Sequence, residues 1–141
     1  MKKLLLILAS LIVFPMAASA QGVTYECELS NNESYGWISP KMIVSVDPDK
    51  NAAAVLDAYI YRQHEHPIPV EFRQTRNGLY KLKWSLSAVP AAARTIKASW
   101  SATLDPKSQV IRAHAILNGY DNRPSGQGRC KVVKSKTLLQ G

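Results

Sequence analysis

From Tyr80 to Leu86 the chain reads YKLKWSL, with Tyr80, Leu82, Trp84 and Leu86 apolar and Lys81, Lys83 and Ser85 polar between them. Strict two-residue alternation sends successive side chains to opposite faces of an extended strand, so such a segment buries one face and wets the other. The pattern recurs along the chain. Val23, Tyr25, Cys27 and Leu29 share one face, as do Met42, Val44 and Val46, then Ile96 to Leu104 in steps of two, then Ile111, Ala113, Ala115 and Leu117. Helical periodicity is almost absent. Half-buried strands must share a core, which makes this an all-β chain: one antiparallel domain of seven or eight short strands. Such a meander either closes as a small barrel or folds as a sandwich.

Turn chemistry divides the strands. Asn77-Gly78 predicts a tight type I′ hairpin, because both residues tolerate positive φ. The pairs Asp47-Pro48 and Asp105-Pro106 begin two further turns, in the matching stretches VSVDPDKN and ATLDPKSQ, which read as one hairpin solution used twice. Between them, Ala54, Leu56, Ala58 and Ile60 are expected on the inner face of a third strand. Asp57, Tyr59 and Tyr61 then fall on its solvent face. The stretch RQHEHPIP reads as a loop because of Pro67 and Pro69, and SAVPAAAR as a connector with one helical turn after Pro90.

The two cysteines, Cys27 and Cys130, lie near the ends of this folded stretch. They stand in opposite charge settings: Glu26 and Glu28 flank the first, Arg129 and Lys131 the second. An even count in an exported chain predicts a disulfide, here joining the first and last strands. With Cys27 opposite Cys130 in antiparallel strands, Glu26 meets Lys131 and Glu28 meets Arg129; parallel pairing would exchange those partners and keep every pair opposite in sign.

Export is read from residues 1–20. Lys2 and Lys3 precede the apolar run Leu4 to Phe14, and Ala18-Ser19-Ala20 supplies small residues before a cut. The remainder, from Gln21 to Gly141, is the usual length of one domain and is expected in the periplasm or outside the cell. Asn32-Glu33-Ser34 matches a glycosylation triplet, a short and common pattern.

The charge of the whole chain is +8, and +6 without the two leader lysines. Residues 21–72 hold eight acids and three bases, whereas residues 73–141 hold two acids and thirteen bases. Export removes nucleic acid from the plausible partners, and no cofactor motif is present. The leading expectation is a non-enzymatic binding module of the cell envelope. It would meet a protein or an anionic envelope component through a basic face that includes Lys81, Lys83 and Arg112. The loop Asn118–Gly128, with Tyr120, Asp121, Asn122 and Arg123, is a candidate binding loop. The alternative is a lipocalin-like carrier whose small residues, such as Ala98, Ala102, Ala113 and Ala115, leave room for a small apolar ligand. A hydrolase ranks third, because no nucleophile motif exists and only Asp57 and His114 invite a test. His64, His66 and His114 are weak metal candidates, since a competent site needs three or four converging ligands.

Overall fold

In a computed structural model, residues 22–31, 36–134 and 138–139 are described. The leader at 1–20 and the Asn32-Glu33-Ser34 triplet lie outside the described residues. The strands are β1 (Val23–Asn31), β2 (Lys41–Asp47), β3 (Ala52–Asp57), β4 (Ile68–Gln74), β5 (Tyr80–Ala91), β6 (Arg94–Asp105), β7 (Val110–Leu117) and β8 (Ser125–Val133). A short helix, α1 (Ala58–His64), lies between β3 and β4. Each strand pairs antiparallel with the next, and β8 returns to β1, so the sheet closes as an eight-stranded barrel. Closure pairs every strand on both sides over the body of the barrel, where no sheet edge is left to template another chain.

The closing seam is antiparallel, one of the two pairings that the charge pattern allows. Cys27 faces Cys130, Glu26 faces Lys131 and Glu28 faces Arg129. The cysteines form the disulfide, with Cα atoms 3.9 Å apart. Lys131 Nζ lies 3.6 Å from Glu26 Oε1. Gly128, two residues from Cys130, also faces inward. A Cβ there would run into the Glu28 carbonyl oxygen and stand 2.7 Å from Leu29 Cα. The seam is too narrow for any side chain but hydrogen.

Inside, Tyr25, Cys27, Met42, Val44, Val55, Phe72, Leu82, Leu104, Ile111 and Leu117 are buried. Trp84 and Trp100 stack at 6.3 Å and nearly parallel among them. The small residues Ala98, Ala102, Ala113 and Ala115 are also buried, and the tryptophans lie beside them in β5 and β6.

The two Asp-Pro turns share a capping aspartate and a left-handed residue but differ in their closing bonds, Asn51 N donating to Pro48 O and Gln109 N to Asp105 O. Asp47 Oδ1 accepts from Lys50 N, Asp105 Oδ1 accepts from Lys107 N, and the residue four after each aspartate has positive φ (Asn51 50°, Gln109 58°). The Asn77-Gly78 turn differs from the type I′ expectation. Only Gly78 has positive φ, at 81°, and its N–H donates to Thr75 O. Leu79 N donates to Thr75 Oγ1, so the hydroxyl draws the chain into a three-residue loop.

The third strand departs from its expected form in two ways. Ala53, Val55 and Asp57 face inward, one residue out of step with the expected set, because AAAVL is apolar on both faces and carries no parity signal. The strand also ends at Asp57, where α1 begins. Asp57 Oδ1 accepts from Ile60 N at 2.8 Å as the N-cap, and Glu65 closes the helix in the left-handed region with its N–H bonded to Tyr61 O. Asp57 is therefore buried, 5% exposed, and not on the solvent face. The capping aspartate and the later Pro67 are the local signals that override the strand pattern.

The SAVPAAAR stretch holds no helical turn. β5 and β6 continue through it as an overhanging hairpin, with a register shift between Leu86 and Val89 and a turn from Ala91 to Arg94. Pro90 fits there because β4 pairs with β5 only from Tyr80 to Lys83, leaving the proline on an unpaired side. Val89 and Ile96 of this hairpin and Ile60 of α1 are buried at the same end of the barrel.

Candidate anion-binding flank

The outward side chains of β4 to β8 fall into register rows. In the first, Arg73 faces Lys81, Lys81 faces Thr103, Thr103 faces Arg112 and Arg112 faces Gln127. In the second, Glu71, Lys83, Ser101, His114 and Ser125 follow one another across the same strands. A third row brings Ser85, Ser99 and Ile116 together, with Ser85 Oγ and Ser99 Oγ hydrogen-bonded at 2.8 Å. The three residues expected to form a basic face are thus on one flank. Strand spacing puts Lys81 and Arg112 about 10 Å apart at the backbone, on either side of β6.

Relief follows from residue size. Ser99, Ser101 and Thr103 of β6 are half-buried, while Lys81 and Lys83 on one side and Arg112 and His114 on the other are exposed. β6 is the floor of a trough and β5 and β7 are its walls. A depression of about 360 Å³ occupies its upper part, lined by Ser85, Ser99, Ser101, Lys83, Ile116 and the acidic Glu71. Beyond the β7 wall lies a larger groove of about 620 Å³. Arg112, His114, Gln127, Arg129 and Ser30 line it, and no carboxylate does. Arg112 Nε donates to Gln127 Oε1 at 3.1 Å, which holds the guanidinium along the groove.

None of these cations is held in an ion pair with another described residue. Among the described residues, ion pairs within 4.0 Å are confined to Lys50–Asp47 and Lys131–Glu26. Arg129 faces Glu28 in register without reaching it, so one of the two expected seam pairs is present only as register. Asp105, at the lower end of the flank, is committed to its own turn. The Lys107 N–H, then Ser108, hold its carboxyl below the usual range.

Arg73 and Arg129 were not legible as members of this face. Arg73 is found by counting back from the hairpin, since Gln74 faces Tyr80 and Arg73 therefore faces Lys81. His114 belongs to the flank and stands apart from the other two histidines. His64 ends α1, and its ring lies 6.0 Å from that of His66. Among the described residues no group of three or more His, Cys, Asp or Glu side chains could hold a metal ion.

Tyr120, Asp121, Asn122 and Arg123 are exposed in a loop at the α1 end of the barrel, and none lines the trough or the larger groove. That loop spans 118–124 and is shorter than expected, because β8 already begins at Ser125 and Pro124 O accepts from Ala115 N. Asp57 and His114 lie on opposite sides of the barrel wall, the one buried and the other exposed. At the α1 end, Trp37, Tyr59 and Trp100 form a run of ring contacts, closed by Trp100 Nε1 donating to Trp37 O and Tyr59 Oη donating to Gly36 O. Asp57 Oδ2 and Trp84 Nε1 are buried there without hydrogen-bond partners, and burial raises the Asp57 carboxyl pKa above the usual range. No described helix is long and apolar enough to cross a membrane. Compared with known proteins, the chain matches no family model, and no curated protein or solved structure shows significant similarity to it.

Proposed function

We propose that the chain is an exported, non-enzymatic binding module that uses the β4–β8 flank to meet an anionic component of the cell envelope, or a protein carrying equivalent charge. The observation that carries this reading is the row Arg73–Lys81–Thr103–Arg112, in which two cations face each other directly and, among the described residues, no carboxylate pairs with them. Like charges opposite each other on paired strands cost stability, and they are favourable only when an anion from outside joins them. The disulfide and the leader pattern support an oxidising compartment. The buried tryptophans in the interior make the outer flank a better supported ligand surface than an internal carrier cavity.

The test is retention on anionic glycan, lipopolysaccharide or envelope extracts as salt is raised. Wild type should be retained and then released by salt, because exposed charges are screened within about 8 Å at physiological ionic strength. A Lys81→Gln, Lys83→Gln, Arg112→Gln variant should elute much earlier. Equal retention of the two proteins, or none for wild type, overturns the reading.

A further inference from the structure

We infer that the trough along β6 takes an extended acidic polysaccharide, lying parallel to the strand with its sugar hydroxyls on the floor and its acidic groups against both walls. This rests on the proposed anion-binding role and names the class of anion. Three features of the flank lead to it.

The first is the floor. Ser99, Ser101 and Thr103 present three hydroxyls in steps of two along one strand, with Ser85 beside Ser99. A hydroxyl both donates and accepts, as a sugar hydroxyl does, so a row of them suits a polyol better than a simple ion. The second is the pair of walls. Lys81 and Lys83 stand on one side, Arg112 and His114 on the other, about 10 Å apart across β6. A chain whose acidic groups project alternately to left and right, as successive uronate residues do when each is turned over relative to the last, meets both walls at once. A compact anion reaches one.

The third feature is what the flank lacks. Ile116 is its one large exposed apolar side chain among the described residues, whereas a lipid surface is met by an apolar face with cations around it. An acidic peptide joining as an extra strand needs a free sheet edge; β6 is paired on both sides along Ser99–Thr103, and the open side of the β5–β6 overhang lies beyond the trough. Glu71 lines the upper depression near Lys83, so the chain's charges concentrate on the lower half, between Lys81 and Arg112.

The experiment uses the oxidised protein with polygalacturonate as probe. Neutral dextran of similar length, phosphatidylglycerol vesicles and poly-glutamate are the competitors. Two variants are compared with wild type. Ser101→Tyr fills the floor and leaves every cation in place; tyrosine is favoured on strand surfaces, so the fold is retained. Ser101→Thr keeps the hydroxyl. Wild type should bind polygalacturonate with a linear dependence of log affinity on log salt, as expected when a linear polyanion releases counterions. Ser101→Tyr should weaken that binding about tenfold, equivalent to the loss of roughly one good polar contact, while Ser101→Thr should not. Retention of Ser101→Tyr on a simple cation-exchange matrix should match wild type, because its charges are intact.

If Ser101→Tyr binds polygalacturonate as wild type does, the trough assignment is wrong and the charge-driven role stands. Tighter binding to vesicles or poly-glutamate than to polygalacturonate replaces the glycan by that partner. If the triple cation variant also binds normally, the underlying role fails as well.

Discussion

Replacing Gly128 by alanine should be among the most damaging single changes in this protein, and its size can be worked from the seam. The added Cβ meets backbone only: the Glu28 carbonyl, and Leu29 Cα at 2.7 Å. No flexible side chain can yield, so β8 must move away from β1. A shift on the order of 1 Å takes an N–H···O contact from about 2.9 Å out of hydrogen-bonding range. Losing about two ladder bonds costs about 2 kcal/mol, and overpacking adds about 1–3 kcal/mol. The total of about 3–5 kcal/mol is a large part of the 5–15 kcal/mol typical of a domain. Gly78→Ala is the control. Nothing stands within 4 Å of its Cβ, but φ is +81°, so only backbone conformation is charged, about 1–2 kcal/mol. Urea unfolding of the oxidised proteins should rank Gly128→Ala well below Gly78→Ala, and Gly128→Ala should lower the yield of the native disulfide on reoxidation. Equal destabilisation by the two substitutions would refute the steric account of the seam.

Two further outcomes follow from the interior and the bridge. Asp57 has its carboxyl pKa raised, because desolvation outweighs the Ile60 and Tyr59 N–H bonds. The native state therefore holds this proton more tightly than the unfolded chain, and stability is lost as pH rises from the ordinary aspartate range to the raised native value. Asp57→Asn, which keeps an N-cap of equal quality, should flatten the fall in stability as pH rises above the ordinary aspartate range of about 4 in urea titrations; an unchanged slope assigns the dependence elsewhere. A Cys27→Ala, Cys130→Ala variant should lose about 4–5 kcal/mol in the chain-entropy account of a bridge spanning 103 residues. Midpoints matching the oxidised wild type would show that the seam holds without it.

Where one physical signal acts alone, the fold is legible from residues. Strict alternation in β5 to β7, the Asp-Pro turns and the disulfide joining β1 to β8 all read correctly, while the mirrored charges beside the cysteines suit either strand direction. Where two signals compete, the reading slips. AAAVLDAYIY is apolar on both faces, so parity could not be read, and Asp57 took the chain into a helix that alternation could not foresee. Thr75 reshaped the Asn-Gly turn in the same way. The basic flank was legible as three residues because they sit on the cleanest strands. Its breadth was not, since Arg73 joins it through the register of the β4–β5 hairpin and Arg129 through β8, a strand distant in sequence from β5.

The order of strands around the barrel has a consequence for how the molecule comes into being. Seven of its eight strand pairings join neighbours in the sequence and can form as each segment emerges; the eighth joins β1 to β8. Early contacts of short range form quickly, and the long-range one waits for loop closure. As the chain is made, β1 therefore keeps one open side until the last strand arrives. The bond between Cys27 and Cys130 is then a record of completion, a covalent mark that only a chain extended through Cys130 can acquire.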